Sequence, residues 1–272
     1  MSKLIVKPTT PNEEGIVLAV SPESAGWEYV GFEVAKLEAG QTLKRSTDGL
    51  EYCLVLLSGL ADVSTQEESW TSVGERMSVF EKKPPYAIYV PNADHFEVTA
   101  TTALELAICS APGKGNFKAR LIAPSAAASE LRGYGNLERQ IYNILPESEP
   151  ADSLLVVEVI TPEGHWSSYP PHKHDQDNMP QESLLEETYY YKIQPEQGFA
   201  VQRIYTDSRS LDETLIVKNG ETVLVPEGYH PVAAPPGYEV YYLNVMAGPT
   251  RAWKFVNDEV HAWIMTKPSD RV

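Results

Sequence analysis

No stretch of this chain sustains the apolar period of about 3.6 residues over the length a major helix needs, and that exclusion constrains the fold more than any other feature. Short β-branched or aromatic runs recur instead: Ile16 to Val20, Tyr29 to Val34, Tyr52 to Leu57, Ala87 to Val90, Leu154 to Ile160, Thr188 to Ile193, Phe199 to Tyr205, Thr222 to Val225 and Tyr238 to Val245. Each is bounded by turn residues, and 21 prolines and 17 glycines break the chain at short intervals. The pattern predicts an all-β protein, sandwich or barrel, with few short helices. The best short helix is Ser125 to Arg132 (SAAASELR), within a less regular stretch from Lys114 to Pro150 that reads as a connection packed between two halves.

An internal repeat supports that division. Tyr86 to Gly113 resembles Glu221 to Gly248, with Pro91 and Pro226, His95 and His230, and Gly113 and Gly248 each 135 residues apart. Three landmarks in one ungapped register predict two copies of one β unit. The expected division is residues 1–113, a connecting segment 114–150, and residues 151–272.

A chain of 272 residues that is 42% hydrophobic can bury one large core or two small ones. Its net charge of −16 and lack of a basic stripe predict no nucleic-acid partner. No apolar segment approaches the roughly 20 residues that span a bilayer, so the expectation is no membrane partner and a cytoplasmic protein. Cys53 and Cys109 lie in apolar runs and read as buried thiols rather than a disulfide.

The chemistry concentrates in the second half. His172 and His174 stand at i and i+2, which on a strand places both imidazoles on one face. His230 follows the turn after Val225, and Glu186-Glu187 precedes a tyrosine-rich strand. Three imidazoles and a carboxylate suit one divalent metal, zinc or manganese foremost, with iron, cobalt or nickel as alternatives. His95 occupies the repeat position of His230 but has no His-x-His upstream, so it reads as a rim or core histidine making hydrogen bonds. His165 and His261 read as structural.

At these residues the chain resembles a bicupin, two tandem jelly-roll-like β-barrels, and more narrowly the bacterial 5-deoxyglucuronate isomerase family of myo-inositol catabolism. The resemblance runs along nearly the whole chain and is carried by Ala25 to Glu33 (AGWEYVGFE), Asn143 to Pro146 (NILP), Ser153 to Val159 (SLLVVEV), Trp166 to Asp175 (WSSYPPHKHD), Leu185 to Tyr190 (LEETYY), Arg209 to Glu213 (RSLDE) and Tyr241 to Gly248 (YYLNVMAG). Two features depart from the general cupin pattern: Met179 to Leu185 intervene before the glutamates, and His230 comes one residue early. In the usual motif the second of two adjacent glutamates is the ligand, which implies Glu187 facing in and Glu186 facing out.

The resemblance implies interconversion of 5-deoxy-D-glucuronate and 2-deoxy-5-keto-D-gluconate, an aldose–ketose isomerisation with no redox cofactor, by a metal held on His172, His174, Glu187 and His230. Candidates for the acid/base are Tyr189, Tyr191 and Tyr242 and the acidic cluster Asp175, Asp177 and Glu182. Candidates for the substrate carboxylate are Arg203, Arg251 and Lys254. The expected partner is a small sugar acid, with a homo-oligomer left open. Two rivals stand beside this reading: a cupin metalloenzyme of another class, such as an iron oxygenase, and a non-catalytic sugar-acid-binding bicupin.

Overall fold

The computed structural model describes residues 2–266. Among them the only helical elements are the four-residue Pro22–Ala25 and three short 3-10 turns at Val79–Glu81, Gly135–Leu137 and Ala262–Met265. All nine runs expected as strands form strands, four of them with the expected ends.

The first half pairs a six-stranded sheet, in the order Arg120–Ile122, Ala87–Val90, Leu50–Ser58, Leu104–Pro112, Gly31–Leu37 and Ile16–Val20, with a four-stranded sheet. The second half repeats that order with Ile5–Val6, Thr222–Val225, Glu186–Gln194, Glu239–Ala247, Leu155–Thr161, Arg139–Leu145 and Ala128–Arg132, again facing a four-stranded sheet. Two pairs of corresponding strands, Ala87–Val90 with Thr222–Val225 and Leu104–Pro112 with Glu239–Ala247, are offset by the 135 residues of the repeat. The fold is a bicupin, and each barrel core lies between its two sheets.

The halves exchange edges. Ile5–Val6, at the chain's start, pairs with Thr222–Val225 of the second half, while Arg120–Ile122 pairs with Ala87–Val90 of the first. The stretch 114–150 therefore contributes strands to both large sheets rather than hanging between them. Within it, the helix expected at Ser125 to Arg132 is not formed: a turn leads into the strand Ala128–Arg132, which pairs with Arg139–Leu145. Eight residues are too few for a helix to stand on local propensity, and pairing satisfies one side of their backbone in a sheet already nucleated by its neighbours.

A third apolar cluster joins the barrels. Alternation sends Cys53, Val55 and Leu57 outward from one large sheet and Tyr241, Leu243 and Val245 outward from the other, so that they pack together. Cys53 and Cys109, free thiols that face each other across paired strands, belong to this cluster, and burial raises both pKa values, that of Cys53 to about 12. Polar clasps edge the cluster. Glu51 accepts the backbone N–H groups of Asp152, Ser153 and Leu154 at 2.7, 2.6 and 2.6 Å. Its counterpart 135 residues on, Glu186, accepts those of Glu28, Tyr29 and Val30 at 2.7, 2.8 and 2.8 Å. Arg76 forks onto the buried carboxylate of Glu158 at 2.7 and 2.9 Å.

Candidate metal centre

Four side chains converge inside the second barrel. His172 opens the short strand His172–Lys173, which pairs with Val256–Asn257, and His174 follows on the same face. Lys173 between them points the other way into a buried cluster, bonding Asp175 at 2.7 Å and Glu182 at 3.1 Å. Those two acids are thereby committed to Lys173 instead of facing the centre, and Asp177 is exposed. Glu187 comes from the Glu186–Gln194 strand, pointing into the barrel while Glu186 clasps the first half.

His230 is positioned by the turn that follows Thr222–Val225. Gly228 adopts φ +86°, and a Cβ there would lie 2.4 Å from the Tyr205 carbonyl oxygen, so only glycine allows this approach. The Gly228 carbonyl then accepts from His230 Nδ1 at 2.8 Å. A carbonyl can only accept, so that nitrogen carries the proton and Nε2 presents its lone pair. His174 is anchored alike, its Nδ1 3.2 Å from the Leu185 carbonyl, and the Pro170 carbonyl bonds His172. The inward nitrogens lie within 4.8 Å of one another, and Glu187 Oε2 stands 3.1 Å from His174 Nε2 and 3.2 Å from His230 Nε2.

The electrostatics favour neutral imidazoles at two positions. Burial, with the neighbouring His174 adding to it, lowers the His172 pKa to about 3, and burial lowers that of His230 to about 3 against the pull of Glu187. At His174 burial is outweighed by the hydrogen bond and charge of Glu187, and its pKa is raised. His230 Nε2 is fully buried and has no hydrogen-bond partner among the described residues, although such atoms are ordinarily satisfied. An unpaired lone pair, two further imidazoles oriented by backbone carbonyls and one carboxylate fit a divalent cation of the zinc, manganese or iron type.

Beside the centre lies a cavity of about 30 Å³ lined by Arg139, Ser168, His172, Glu187, Tyr189 and Tyr242 among others. It adjoins an outer cleft of about 240 Å³ that shares Arg132, Arg139, His172 and Trp253 with it and adds Tyr134 and Phe255. Ser168 Oγ lies 3.0 Å from the Tyr189 hydroxyl and 3.3 Å from that of Tyr242. Burial raises the Tyr189 pKa well above the usual range, the Glu187 charge adding to it, and burial also raises that of Tyr242. Tyr191 lines neither space and donates to Gln202 at 2.9 Å.

The three cations expected to meet a carboxylate lie elsewhere. Arg203 forks onto Asp212 at 2.8 and 2.7 Å on the outer face of the Phe199–Tyr205 strand. Arg251 is spent on the carbonyls of Pro146, Glu147 and Leu154, and Lys254 pairs with Glu147 at 3.3 Å. Arg132 and Arg139 line the cleft in their place. Neither stands out in the sequence, since both lie in the irregular stretch 114–150; the alternation Arg139-Gln-Ile141-Tyr-Asn143 is the signal that places Arg139 on the face of Ile141. His95 stands exposed at the first barrel's rim, and His165 Nδ1 bonds the Glu138 carbonyl at 2.8 Å.

Comparison with known proteins finds relatives along nearly the whole chain. The profile of the KduI/IolB family matches residues 4–264. The 5-deoxy-glucuronate isomerase of Geobacillus thermodenitrificans is 66% identical over 265 residues, 97% of each chain, and that of Bacillus subtilis strain 168 is 47% identical over 271 residues, 98% of this chain and all of its own. The crystal structure of an IolB-like protein from Salmonella typhimurium superposes with a TM-score of 0.95 at 52% identity, covering 97% of this chain and 100% of that one. The oxalate decarboxylase of Lactobacillus farciminis, at TM-score 0.65 and 12% identity over 99% of this chain and 92% of its own, shares the fold. Among the described residues no helix is long and apolar enough to cross a membrane.

Proposed function

The chain belongs to the KduI/IolB family, and from that premise we propose that it is a metal-dependent aldose–ketose isomerase converting 5-deoxy-D-glucuronate to 2-deoxy-5-keto-D-gluconate in inositol catabolism, in the cytoplasm. The isomerase name is borne by relatives that match it at up to 66% identity along nearly their full length. The observation that carries the metal dependence is the buried His230 Nε2, unpaired and aimed at the point where His172, His174 and Glu187 converge.

The reaction reduces an aldehyde carbon and oxidises its hydroxyl-bearing neighbour, so the protein has only to move hydrogen between adjacent carbons and hold the charge that develops on oxygen. His172, His174, His230 and Glu187 would hold the ion, which would supply Lewis acidity for the charge that develops on substrate oxygen. Tyr189 and Tyr242, protonated at neutral pH because burial raises their pKa, face the cavity as donors that can protonate an oxygen as charge grows on it. Ser168 between the two hydroxyls orients them. Trp253 and Phe255 wall the outer cleft with apolar surface.

Metal content and turnover of 5-deoxyglucuronate on one preparation test this, comparing the wild type, its chelated form with metal restored, and His174→Ala. Loss of turnover with the metal, recovered on remetallation of the wild type alone, is the expected result. Bound metal without turnover overturns the isomerase reading, and oxygen uptake in its place would indicate an oxygenase.

A further inference from the structure

Arg132 and Arg139 face each other as a register pair at the closed end of the hairpin formed by Ala128–Arg132 and Arg139–Leu145. Arg132 is already matched, forking onto Glu130 at 2.9 and 2.7 Å in a half-exposed setting. Arg139 is not. Only 8% of its surface is exposed, no carboxylate among the described residues pairs with it, and its one hydrogen bond runs from Nη1 to the Leu137 carbonyl at 3.0 Å. A buried guanidinium is ordinarily paired with an anion.

The local backbone is built to aim that group. Gly133 adopts φ +99°, and a Cβ there would lie 2.1 Å from the Leu137 oxygen and 3.1 Å from Arg139 Nη1. Only a glycine lets the turn deliver the Leu137 carbonyl to the guanidinium and hold the fork against the cleft wall. That wall is shared by the inner cavity and the outer cleft, with His172 and Trp253 beside it. Burial lowers the Arg139 pKa, but a guanidinium stays charged at any working pH. On a chain of net charge −16 this places a buried cation on the wall of the cleft that leads to the centre.

We infer that Arg139, flanked by Arg132, is the specificity-determining residue of the site, binding the carboxylate of a sugar acid whose carbonyl end reaches toward His172 and Glu187. The identity of the sugar acid rests on the isomerase reading; carboxylate binding itself does not require turnover. The planar fork suits two parallel hydrogen bonds to one carboxylate, which a lysine cannot reproduce.

The test is calorimetric binding of D-gluconate, a polyol acid with no carbonyl to isomerise, against its uncharged counterpart D-sorbitol, on the metal-loaded protein. The wild type should bind gluconate and discriminate against sorbitol. Arg139→Met should weaken gluconate binding by about 10- to 100-fold, the worth of a hydrogen bond to a charged group, and Arg139→Lys by less, with metal content unchanged. Equal binding of the two probes by the wild type overturns the inference without any variant being needed. Gluconate binding that survives Arg139→Met overturns it by placing the carboxylate on the metal, and binding lost together with the metal overturns it by making the residue structural. Failure of the isomerase reading is separately visible, as retained gluconate discrimination in a protein that does not turn over 5-deoxyglucuronate.

Discussion

Acidifying the metal-free protein perturbs the centre's electrostatics directly. Burial holds His172 and His230 at a pKa of about 3, against the ordinary value of 6.5 that each regains on unfolding. Between those values the unfolded chain binds more protons than the folded one, so stability falls as pH falls below about 6.5. At about pH 5.5 an unfolded imidazole is about nine-tenths protonated while its buried counterpart is neutral, a loss of about 1.4 kcal/mol per ring relative to about pH 8. Two rings lose about 3 kcal/mol. His174 opposes them: its raised pKa contributes stability at low pH that is lost as pH rises through the folded value. Carboxylates with depressed pKa, such as Glu105, Glu147 and Asp175, lose their contribution only as pH falls below their ordinary 4.5 and 3.8, outside this window. Thermal unfolding of chelated protein over about pH 8 to 5.5, compared with His230→Gln, removes the titration of one ring while the groups distant from it cancel. The variant should lose about 1.4 kcal/mol of the pH-dependent drop, or about 3–6 °C in Tm. Parallel curves for the two proteins would refute the assignment of a neutral, buried His230.

Three further outcomes follow from the clasps and the turn. Arg76→Met strands the buried Glu158 carboxylate with Tyr241 as its remaining donor at 2.8 Å, and should cost about 3–5 kcal/mol in a guanidinium titration, most of it recovered in Arg76→Met/Glu158→Leu. Glu186→Ala removes the acceptor of three backbone N–H groups and should cost about 1–3 kcal/mol, read as a lower Tm, while the metal content stays that of the parent because Glu187 faces the other way. Gly133→Ala forces a left-handed residue against the Leu137 carbonyl, and should cost about 1–3 kcal/mol while weakening gluconate binding through Arg139.

What was legible in the chain follows one rule: features with period two or an identical-register repeat could be read, and features that depend on what a strand meets in space could not. His172 and His174 share a face because strands alternate, and Glu187 faces them while Glu186 does not for the same reason. The small residues of Ser125 to Arg132 favour a helix locally, whereas the edge offered by Arg139–Leu145 decides in favour of a strand over Ala128–Arg132. Arg203, Arg251 and Lys254 are cations that could hold a carboxylate, but Asp212, the carbonyls of 146, 147 and 154, and Glu147 take them, which no sequence spacing encodes. Arg139 is informative for the opposite reason, since its significance lies in a partner it lacks, and no spacing encodes that.

The repeat explains why one barrel holds chemistry and the other does not. On the 135-residue offset Glu51 corresponds to Glu186, and the two make the same clasp onto the opposite half. One position further on, facing into the barrels, Tyr52 stands where Glu187 does, Leu54 where Tyr189 does, and Leu56 where Tyr191 does. The outward face makes the same clasp in both halves, while the inward face carries different side chains. In the first barrel Phe96 turns in against Tyr52, with ring centroids 5.2 Å apart, and His95 turns out to water, so a dry core fills the space that the second barrel leaves to imidazoles and a carboxylate. Burying Glu187 among three histidines costs desolvation that hydrocarbon packing does not. With both barrels joined through a common apolar cluster and the paired clasps, the filled barrel can offset part of that cost.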